Sequence, residues 1–513
     1  MQNKKAVLSG FVAVLLVFIA ALVVRSDDFR GERGAENLEA SYHTLLTITA
    51  LHEVPVARSH LLPIVNFGGP KDINIPWGAT VRTPNGDFVY TSFPPLAFLV
   101  PAALFQALNV EPSLGTLASF NAGLGLISAF LLFAILVRIL TFDGHTKGVA
   151  VFASVAGASL LLLSKEGLHS FGPVYWAQQL AQLFLLGQLA VLVELKHREP
   201  PKPVALLALL GVISFLAAYT EWTGFVANGL IGLAFVVRDR AGSRRVGLVM
   251  LAANALAIGA ITVHLASAIG WQETLSALSK RFFARSAMAD RGLLELLGQY
   301  WESFGLLLVL SALAGAVVMA HARRHSKPAV TFAVFALLVS LAPLVENFIM
   351  LQHAWQFSYD RLKLVVPLSV LVASAFAILL SAKRTAAWAF ALILLALSFW
   401  QNSSQYLANR AEYAGWAQVT KDNERLLAEI KKSGTWDCAV VGANGSVRGY
   451  ASLLFHRGVY EAVSSSRLQE LAIELNRCAA IFLEQERFSF DLPRYTSATI
   501  YRSGQEPVRL TPP

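Results

Sequence analysis

Charged residues are scarce in this 513-residue sequence. Asp, Glu, Lys and Arg make up 15% of it, against about 25% in soluble domains. Hydrophobic residues make up 55%, and the mean hydropathy is +0.54. These values exclude an ordinary soluble protein and are typical of the membrane class. The net charge of +9 does not indicate nucleic-acid binding, because Lys and Arg form short clusters between apolar segments.

Cysteine is nearly absent as well, since only Cys438 and Cys478 occur. Two thiols exclude a zinc site built from thiolates and leave one disulfide. Each cysteine opens a predicted strand, and the two strands could lie side by side. In an oxidising compartment the alternatives are a Cys438–Cys478 disulfide and two buried free thiols.

Hydrophobic segments fill most of the first 401 residues, and we predict eleven membrane spans because most segments are close to the roughly 20 residues that cross a bilayer. They are residues 6–24, 115–137, 148–164, 174–193, 203–220, 222–237, 246–270, 304–320, 328–345, 364–382 and 385–401. The first is longer than the apolar region of a signal peptide, and no small-residue cleavage pattern follows it, which favours a retained helix. Residues 93–108 are short and contain three prolines, which favours a re-entrant or interfacial segment.

The basic clusters predict the orientation of these spans. If residues 93–108 do not cross, each compact cluster of Lys and Arg lies on the side of Lys4 and Lys5, which the positive-inside rule identifies as cytoplasmic. The loops 27–92 and 271–303 are then outside. The second of these loops is amphipathic and basic, and we expect it to lie along the membrane surface.

The fold class that follows is a polytopic α-helical membrane protein with a small C-terminal extracytoplasmic α/β domain. We place the transmembrane domain at residues 1–401 and the α/β domain at 402–513. In the latter, helices are predicted at 408–432 and 467–476, and strands at 437–441, 478–483 and 498–501. Strands that alternate with helices favour partly parallel pairing.

The first outer loop contains the candidate catalytic acids. Asp28 follows the first span directly, while Glu36 and Glu39 begin a predicted helix whose spacing brings His43 beside them. A carboxylate beside a histidine is suited to general-base catalysis or to metal binding. The alternatives are a solvated helix end for Asp28 and a surface cluster on an amphipathic helix for the others.

The loop ends in Tyr90-Thr-Ser-Phe-Pro-Pro-Leu. Paired prolines fix the entry of the chain into the membrane, and we expect them to display Tyr90 and the polar residues after it. The alternative is a purely structural helix start.

Three features occur in order: one N-terminal span, a large outer loop with acids near its start, and a Tyr-x-x-x-Pro-Pro-Leu motif where the chain enters the next hydrophobic segment. In this order the chain resembles the GT-C class of membrane glycosyltransferases, particularly its protein O-mannosyltransferase and aminoarabinose-transferase branch. The similarity covers the whole chain in architecture but only residues 27–96 in sequence. It implies transfer of a sugar from a polyprenyl-phosphate donor to an extracytoplasmic acceptor (a lipid, a polysaccharide or a protein). It also implies the inner membrane of a bacterium, with a cytoplasmic N-terminus and a periplasmic C-terminal domain.

The resemblance further implies that an acid of the first loop is the base. The family's usual Asp-Glu pair is absent before Tyr42, and Phe93 stands where a lysine often precedes the prolines. We therefore rank the candidate bases as Glu36, then Asp28, then Glu39.

Phosphate recognition needs cations from elsewhere in the chain. Basic candidates in the outer loops are Lys165, Arg281, Arg285, Arg361 and Lys363. His353 could bind the phosphate or the sugar, and a hydrogen-bonded structural role is the alternative. Glu221, between two spans, is expected to face a cavity because a charge in lipid is costly; the alternative is an exposed turn residue.

The acids form no recognisable metal-ligand set, so no cofactor is predicted and a divalent metal is left open. The expected partners are the lipid-linked donor, the acceptor and membrane lipids. A transporter or flippase of a lipid-linked sugar is the alternative function. It is disfavoured because the spans are nearly free of charge, with His264 as the main exception. A non-catalytic membrane scaffold is a third hypothesis.

Overall fold

The computed structural model describes residues 2–30, 35–66, 79–199, 201–238, 243–286, 292–324, 331–414, 428, 432, 438–443, 447–461, 465–477, 479–483, 498–500 and 508–510. Its helices are α1 (Gln2–Val24), α2 (Glu39–Glu53), α3 (Val56–Ser59), α4 (Leu96–Leu108), α5 (Leu114–Phe142), α6 (Lys147–Leu163), α7 (Lys165–Ser170), α8 (Ala177–His197), α9 (Val204–Ala218), α10 (Trp222–Val237), α11 (Ser243–Ile269), α12 (Trp271–Ser286), α13 (Leu293–Phe304), α14 (Leu306–Arg324), α15 (Phe332–Leu341), α16 (Val345–Ile349), α17 (Leu351–Gln356), α18 (Val365–Ser381), α19 (Thr385–Glu412), α20 (Val447–Phe455) and α21 (Ser465–Glu474). Its strands are β1 (Thr80–Arg82), β2 (Phe88–Tyr90), β3 (Ala439–Ala443), β4 (Tyr460–Glu461), β5 (Ala479–Leu483), β6 (Ala498–Ile500) and β7 (Val508–Leu510). Short 3₁₀ turns occupy Ser26–Arg30, Ala342–Leu344 and Ser358–Leu364.

Most of the predicted spans are long apolar helices. Within the described ranges, eight helical stretches are long and apolar enough to cross a membrane, and they lie in α1, α5, α8, α11, α14, α15 with α16, the turn before α18 with α18, and α19. Three predicted spans are the shorter apolar helices α6, α9 and α10. The polytopic helical class is thus confirmed. The 13-residue α4 is the shortest of the four shorter apolar helices, at about 20 Å, and its not crossing the membrane stays a prediction.

The chain divides into two compact units. The first unit is Met1–Phe29, Ala118–Val263 and Ser279–Asn409, and the second unit is Arg30–Leu117, His264–Leu278 and Arg410–Pro513. The polar helix predicted over 408–432 begins as the end of α19, which runs without a break to Glu412. The domain boundary at 401/402 stays a prediction.

Helix α6 lies at the centre of the first unit, where it packs against α1 and α18. A side chain at Gly157 of α6 would come within 2.9 Å of the Ser369 carbonyl oxygen and 3.0 Å of Ala373 Cβ on α18. Glycine is needed there because small residues let two membrane helices approach closely.

The second unit contains the first outer loop. Helix α2 packs against α4 and α20, and β1 and β2 form an antiparallel hairpin in which Val81 pairs with Val89. This hairpin was not predicted from the sequence, since its strands have only three residues each.

The C-terminal strands confirm the predicted parallel pairing. Strand β3 lies between β4 and β5, parallel to both, and Ala439 pairs with Ala479. Val440, Ala480 and the α21 residues Leu468 and Ala472 form its buried core. Cys438, just before β3, is in a disulfide, so the free-thiol alternative is wrong for it; Cys478 lies outside the described residues.

The second large outer loop, predicted over 271–303, forms α12 and α13, and residues 287–291 lie outside the described part of the chain. On α13 the side chains of Leu293, Leu294, Leu297 and Trp301 are exposed, whereas Leu296, Tyr300 and Phe304 are buried. This helix is therefore strongly amphipathic, as expected for a segment at a membrane surface.

Candidate active site

A buried polar centre surrounds α7 in the first unit. All six residues of this short helix are buried, although they include Lys165, Glu166 and His169. Buried charges need partners because leaving them unpaired costs several kcal/mol each. The contacts to α7 and the chain after it come from the turn after α1, from α13, from α19 and from the segment that precedes α18.

Asp28 is held beside the chain that follows α7. Its side chain is 4% exposed, and the Tyr406 hydroxyl of α19 donates to Asp28 Oδ2 at 2.7 Å. A Cβ at Gly172 would lie 2.7 Å from the same oxygen and 2.4 Å from the Leu168 carbonyl oxygen, so glycine is required there. Arg25, also buried, donates to the Phe171 carbonyl. The solvated helix end considered for Asp28 is therefore wrong.

Helix α19 also holds the start of α7. Asn402, one turn before Tyr406, accepts a hydrogen bond from the Lys165 backbone N–H at 2.8 Å. The Lys165 ammonium lies 3.5 Å from Glu302, whose side chain is mostly exposed. One face of α19 thus fixes both Asp28 and the beginning of α7.

Arg361 pairs with a carboxylate that the sequence analysis did not single out. Its guanidinium lies 3.6 Å from Glu166 Oε1 and donates to Ser303 Oγ at 2.6 Å and to the Ala354 carbonyl at 2.9 Å. Glu166 is fully buried. The sequence did contain a signal for Glu166: it is a carboxylate in the polar run Lys-Glu-Gly-Leu-His between two apolar segments.

Lys363 lies among three buried carboxylates. Its ammonium contacts Glu346 and lies 3.0 Å from Asp360 Oδ1 and 3.0 Å from the Thr223 hydroxyl. Glu221 caps the start of α10 by accepting from the Thr223 N–H at 2.6 Å, and its side chain is completely buried. The exposed-turn alternative for Glu221 is therefore wrong. The sequence did not indicate this burial, because Lys363 and Asp360, the charged groups that act on Glu221, lie more than a hundred residues away.

His353 joins the same centre through Asp360, with 3.5 Å between Nδ1 and Oδ2. Burial, opposed by the negative charge of Asp360 and assisted by the positive charge of Arg285, lowers the pKa of His353 to about 4. His353 is therefore neutral at pH 7, so it can offer a phosphate or a sugar a hydrogen bond but not a charge. Arg285, at the end of α12, is itself 5% exposed.

The second unit contains the other candidate acids. Asn37 has φ of +57°, so α2 begins only at Glu39 and Glu36 precedes it. The prediction that Glu36 shares a helix with Glu39 and His43 is thus wrong. The Asn37 amide donates to Glu36 at 3.3 Å, and burial raises the pKa of Glu39.

His43 and Tyr90 are packed against each other rather than displayed. Their ring centroids are 4.3 Å apart with a 77° interplanar angle, and both side chains are buried. Burial lowers the pKa of His43 to about 3. The expectation that the prolines display Tyr90 is wrong, because β2 carries it into the interior of the second unit. Nor is α2 a surface helix, since ten of its residues are buried.

The structure thus sorts the candidates into two groups. The first unit contains Asp28, Lys165, Glu221, Arg285, His353 and Arg361, and the second unit contains Glu36, Glu39, His43 and Tyr90. Among the described residues, no group of three or more His, Cys, Asp or Glu side chains is arranged to hold a metal ion.

Solved structures with the same fold are membrane glycosyltransferases of the GT-C class. The Archaeoglobus fulgidus oligosaccharyltransferase, in a complex with zinc and sulfate, is 14% identical, with a TM-score of 0.56 over 87% of this chain and 62% of that one. The same organism's AglB, with an inhibitory peptide and a dolichol-phosphate, is 14% identical at TM-score 0.56 over 88% and 64%. ArnT from Cupriavidus metallidurans, bound to undecaprenyl phosphate, is 12% identical at TM-score 0.52 over 90% and 87%.

No protein-family model matches the sequence, and no curated protein matches it. The chain spans less than two thirds of the length of the archaeal enzymes and most of the length of ArnT. At these identities the likeness is one of fold. The resemblance predicted from the first outer loop is therefore confirmed: the chain is a multi-pass membrane protein with the GT-C fold.

Proposed function

We propose that this protein is a glycosyltransferase that moves a hexosyl or pentosyl group from a polyprenyl-phosphate donor to an extracytoplasmic acceptor. The observation that carries the proposal is a buried carboxylate, Asp28, at the end of the first span, in the same unit as the buried cations Arg361, Lys165 and Arg285. Fold relatives bound to dolichol-phosphate and to undecaprenyl phosphate support a lipid-linked donor. The archaeal relative in complex with dolichol-phosphate also contains an inhibitory peptide, which supports a second ligand of another class.

We assign the role of general base to Asp28 in preference to Glu36. Tyr406 and Gly172 fix the position of Asp28, whereas Glu36 precedes α2 and accepts a hydrogen bond from its neighbour Asn37. Asp28 also shares its unit with the candidate phosphate-binding cations. Glu39 ranks third, because it is half-buried in the second unit, whereas the candidate cations belong to the first, and its pKa is raised.

The proposed reaction is an inverting displacement. Asp28 takes the proton of the acceptor hydroxyl, and the acceptor oxygen attacks the anomeric carbon of the sugar. The bond from that carbon to the phosphate oxygen breaks, and the electron pair leaves with the polyprenyl phosphate. Arg361, Lys165 and Arg285 offset the charge of the departing phosphate, while His353 donates a hydrogen bond. Glu221 and its partner Thr223 line the acceptor side, and Tyr90 and His43 support the first outer loop from within.

The proposed location is a bacterial inner membrane, with the N-terminus in the cytoplasm and the C-terminal α/β domain in the periplasm. The basic clusters that flank the spans support this orientation. A reporter that works only in the periplasm should be active when it is fused after Gln401. An inactive fusion would reverse the orientation and with it the outer-face assignment.

The transferase proposal is tested by mass spectrometry of envelope glycans and lipids from cells with and without the gene. Cells without it should lack one sugar mass on one molecule, and wild-type protein but not Asp28→Asn should restore that mass. The molecule that loses mass identifies the acceptor class. An unchanged envelope would contradict the proposal.

Transport of a lipid-linked sugar is the second candidate function, and one observation favours it. Glu346, Asp360 and Lys363 lie within stretches long enough to span a membrane, and all three are buried. Ionisable residues at such positions are expected in transporters. Purified protein separates the two functions: a transferase forms product from donor and acceptor in detergent, whereas a flippase needs a closed vesicle.

A further inference from the structure

An apolar groove runs between α10 and α15, at the end of α10 that carries Arg238. Its cavity volume is about 200 Å³. One wall is formed by Leu230, Ala234 and Arg238, which are spaced four residues apart and so share one face of α10. The other wall includes Phe335, Leu338 and Ala342 of the α15 region. The alanines leave the space that longer side chains would fill.

Two cations stand at one end of this groove. Arg238 is exposed, and its charge repels that of Lys196, at the end of α8. The Lys196 ammonium donates to the Thr331 carbonyl at 3.0 Å and lies 4.9 Å from the ring centroid of Phe335, a groove residue. Asp143 attracts Lys196, but its two oxygens already accept the backbone N–H groups of Phe332 and Ala333. This end of the groove is therefore positive.

The groove is remote from the proposed reacting centre. Thr223, at the other end of α10, bonds to Lys363. Fifteen residues separate Thr223 from Arg238, which corresponds to about 22 Å along a helix. A donor whose phosphate lay at Arg238 could not present its sugar to groups on the Thr223 side.

We propose that this groove binds an anionic glycerophospholipid of the leaflet on the basic side of the membrane. Its phosphate lies between Arg238 and Lys196, and one acyl chain lies along Leu230, Ala234 and Leu338. A phospholipid fits because it combines a negative headgroup with a long apolar chain, and basic pockets between membrane helices recruit acidic lipids. The proposal does not depend on the transferase activity.

The test measures binding of phosphatidylglycerol and phosphatidylethanolamine to the full-length protein by native mass spectrometry after delipidation. Wild type should bind phosphatidylglycerol more tightly. Arg238→Gln should weaken that binding about fivefold, since one cation near an acidic lipid contributes about 1 kcal/mol. Ala234→Trp should abolish the preference for phosphatidylglycerol over phosphatidylethanolamine, because it fills the groove without changing any charge.

The matched control is Arg244→Gln on α11, which removes the same charge from an exposed residue that does not line the groove. It should leave binding unchanged. Equal losses for Arg238→Gln and Arg244→Gln would show only diffuse attraction and overturn the site. Equal binding of the two phospholipids would do the same, and so would displacement of phosphatidylglycerol by equimolar undecaprenyl phosphate.

Discussion

The two units bury the candidate site residues in different ways. In the first unit, Lys363 and Arg361 are paired with carboxylates, so charge is matched by charge. In the second unit, His43 packs against the aromatic ring of Tyr90, and its lowered pKa keeps it neutral. An ion-pair network holds groups that can act on a charged ligand, whereas an aromatic cluster mainly holds a loop in shape. This difference is why the proposed chemistry lies in the first unit.

The largest expected effect separates the candidate bases of the two units. Asp28→Asn keeps the shape of the side chain and removes its ability to take a proton, so transfer should fall by about a thousandfold. Glu36→Gln should retain most of the activity, because it alters a half-buried residue of the second unit. Transfer of radiolabelled sugar by purified protein measures both. If Glu36→Gln is inactive and Asp28→Asn is active, the ranking made from the sequence was correct.

The next effect concerns the stability of the charge network. Lys363→Met leaves Asp360 and Glu346 buried without their ammonium partner, and the free energy of unfolding should fall by about 3–5 kcal/mol. Lys165→Met is the matched control, since its partner Glu302 is largely exposed and such pairs contribute about 1 kcal/mol or less. Thermal unfolding in detergent measures both variants. Equal losses would mean that the cluster around Lys363 is no more tightly coupled than a pair with one exposed partner.

The sequence predicted the fold better than the site, for a physical reason. Membrane spans and buried strands are local patterns of hydrophobicity, so the spans and the pairing of β3 with β5 could be predicted from them; the spans are α1, α5, α6, α8 to α11, α14, α15, α18 and α19. The partners of Asp28 and Arg361 are distant in sequence: Tyr406 and Glu166. No local pattern indicates such pairs.

The misjudged residues of the first outer loop follow the same logic. The spacing of Glu36 to Glu39 and His43 predicts one helix for all three. Asn37 has a left-handed backbone conformation, so the helix does not extend back to Glu36. Asparagine adopts such a conformation more readily than most residues. Tyr90 was expected at the surface because polar residues follow it, and the three-residue strand that buries it was too short to detect.

A smaller effect should appear in the second unit as a dependence on pH. The pKa of His43 is lowered from 6.5 to about 3, so the unfolded chain binds a proton there between these pH values and the folded protein does not. Stability due to this group is therefore fully present above pH 6.5 and is lost as the pH falls, by about 2 kcal/mol between pH 7 and pH 5. His43→Phe should remove this part of the pH dependence of thermal unfolding. His456→Gln, at an exposed position of the same unit, should not; an unchanged profile for His43→Phe would contradict the buried neutral imidazole.

The smallest effect concerns the bond that distinguishes Asp28 from the other acids. Tyr406→Phe removes the donor to Asp28 Oδ2, so the charged form of the carboxylate should be less stable and its position less fixed. We expect kcat/KM to fall about tenfold and the acid limb of the pH–rate profile to move to higher pH. Tyr300→Phe is the matched control, because it also removes a buried tyrosine hydroxyl, one that accepts a hydrogen bond from Asn347 in the Lys363 network. It should lower stability without moving the profile. Equal pH profiles for the two variants would mean that Tyr406 supports the fold and not the base, and the case for Asp28 would then depend on its position at the end of the first span alone.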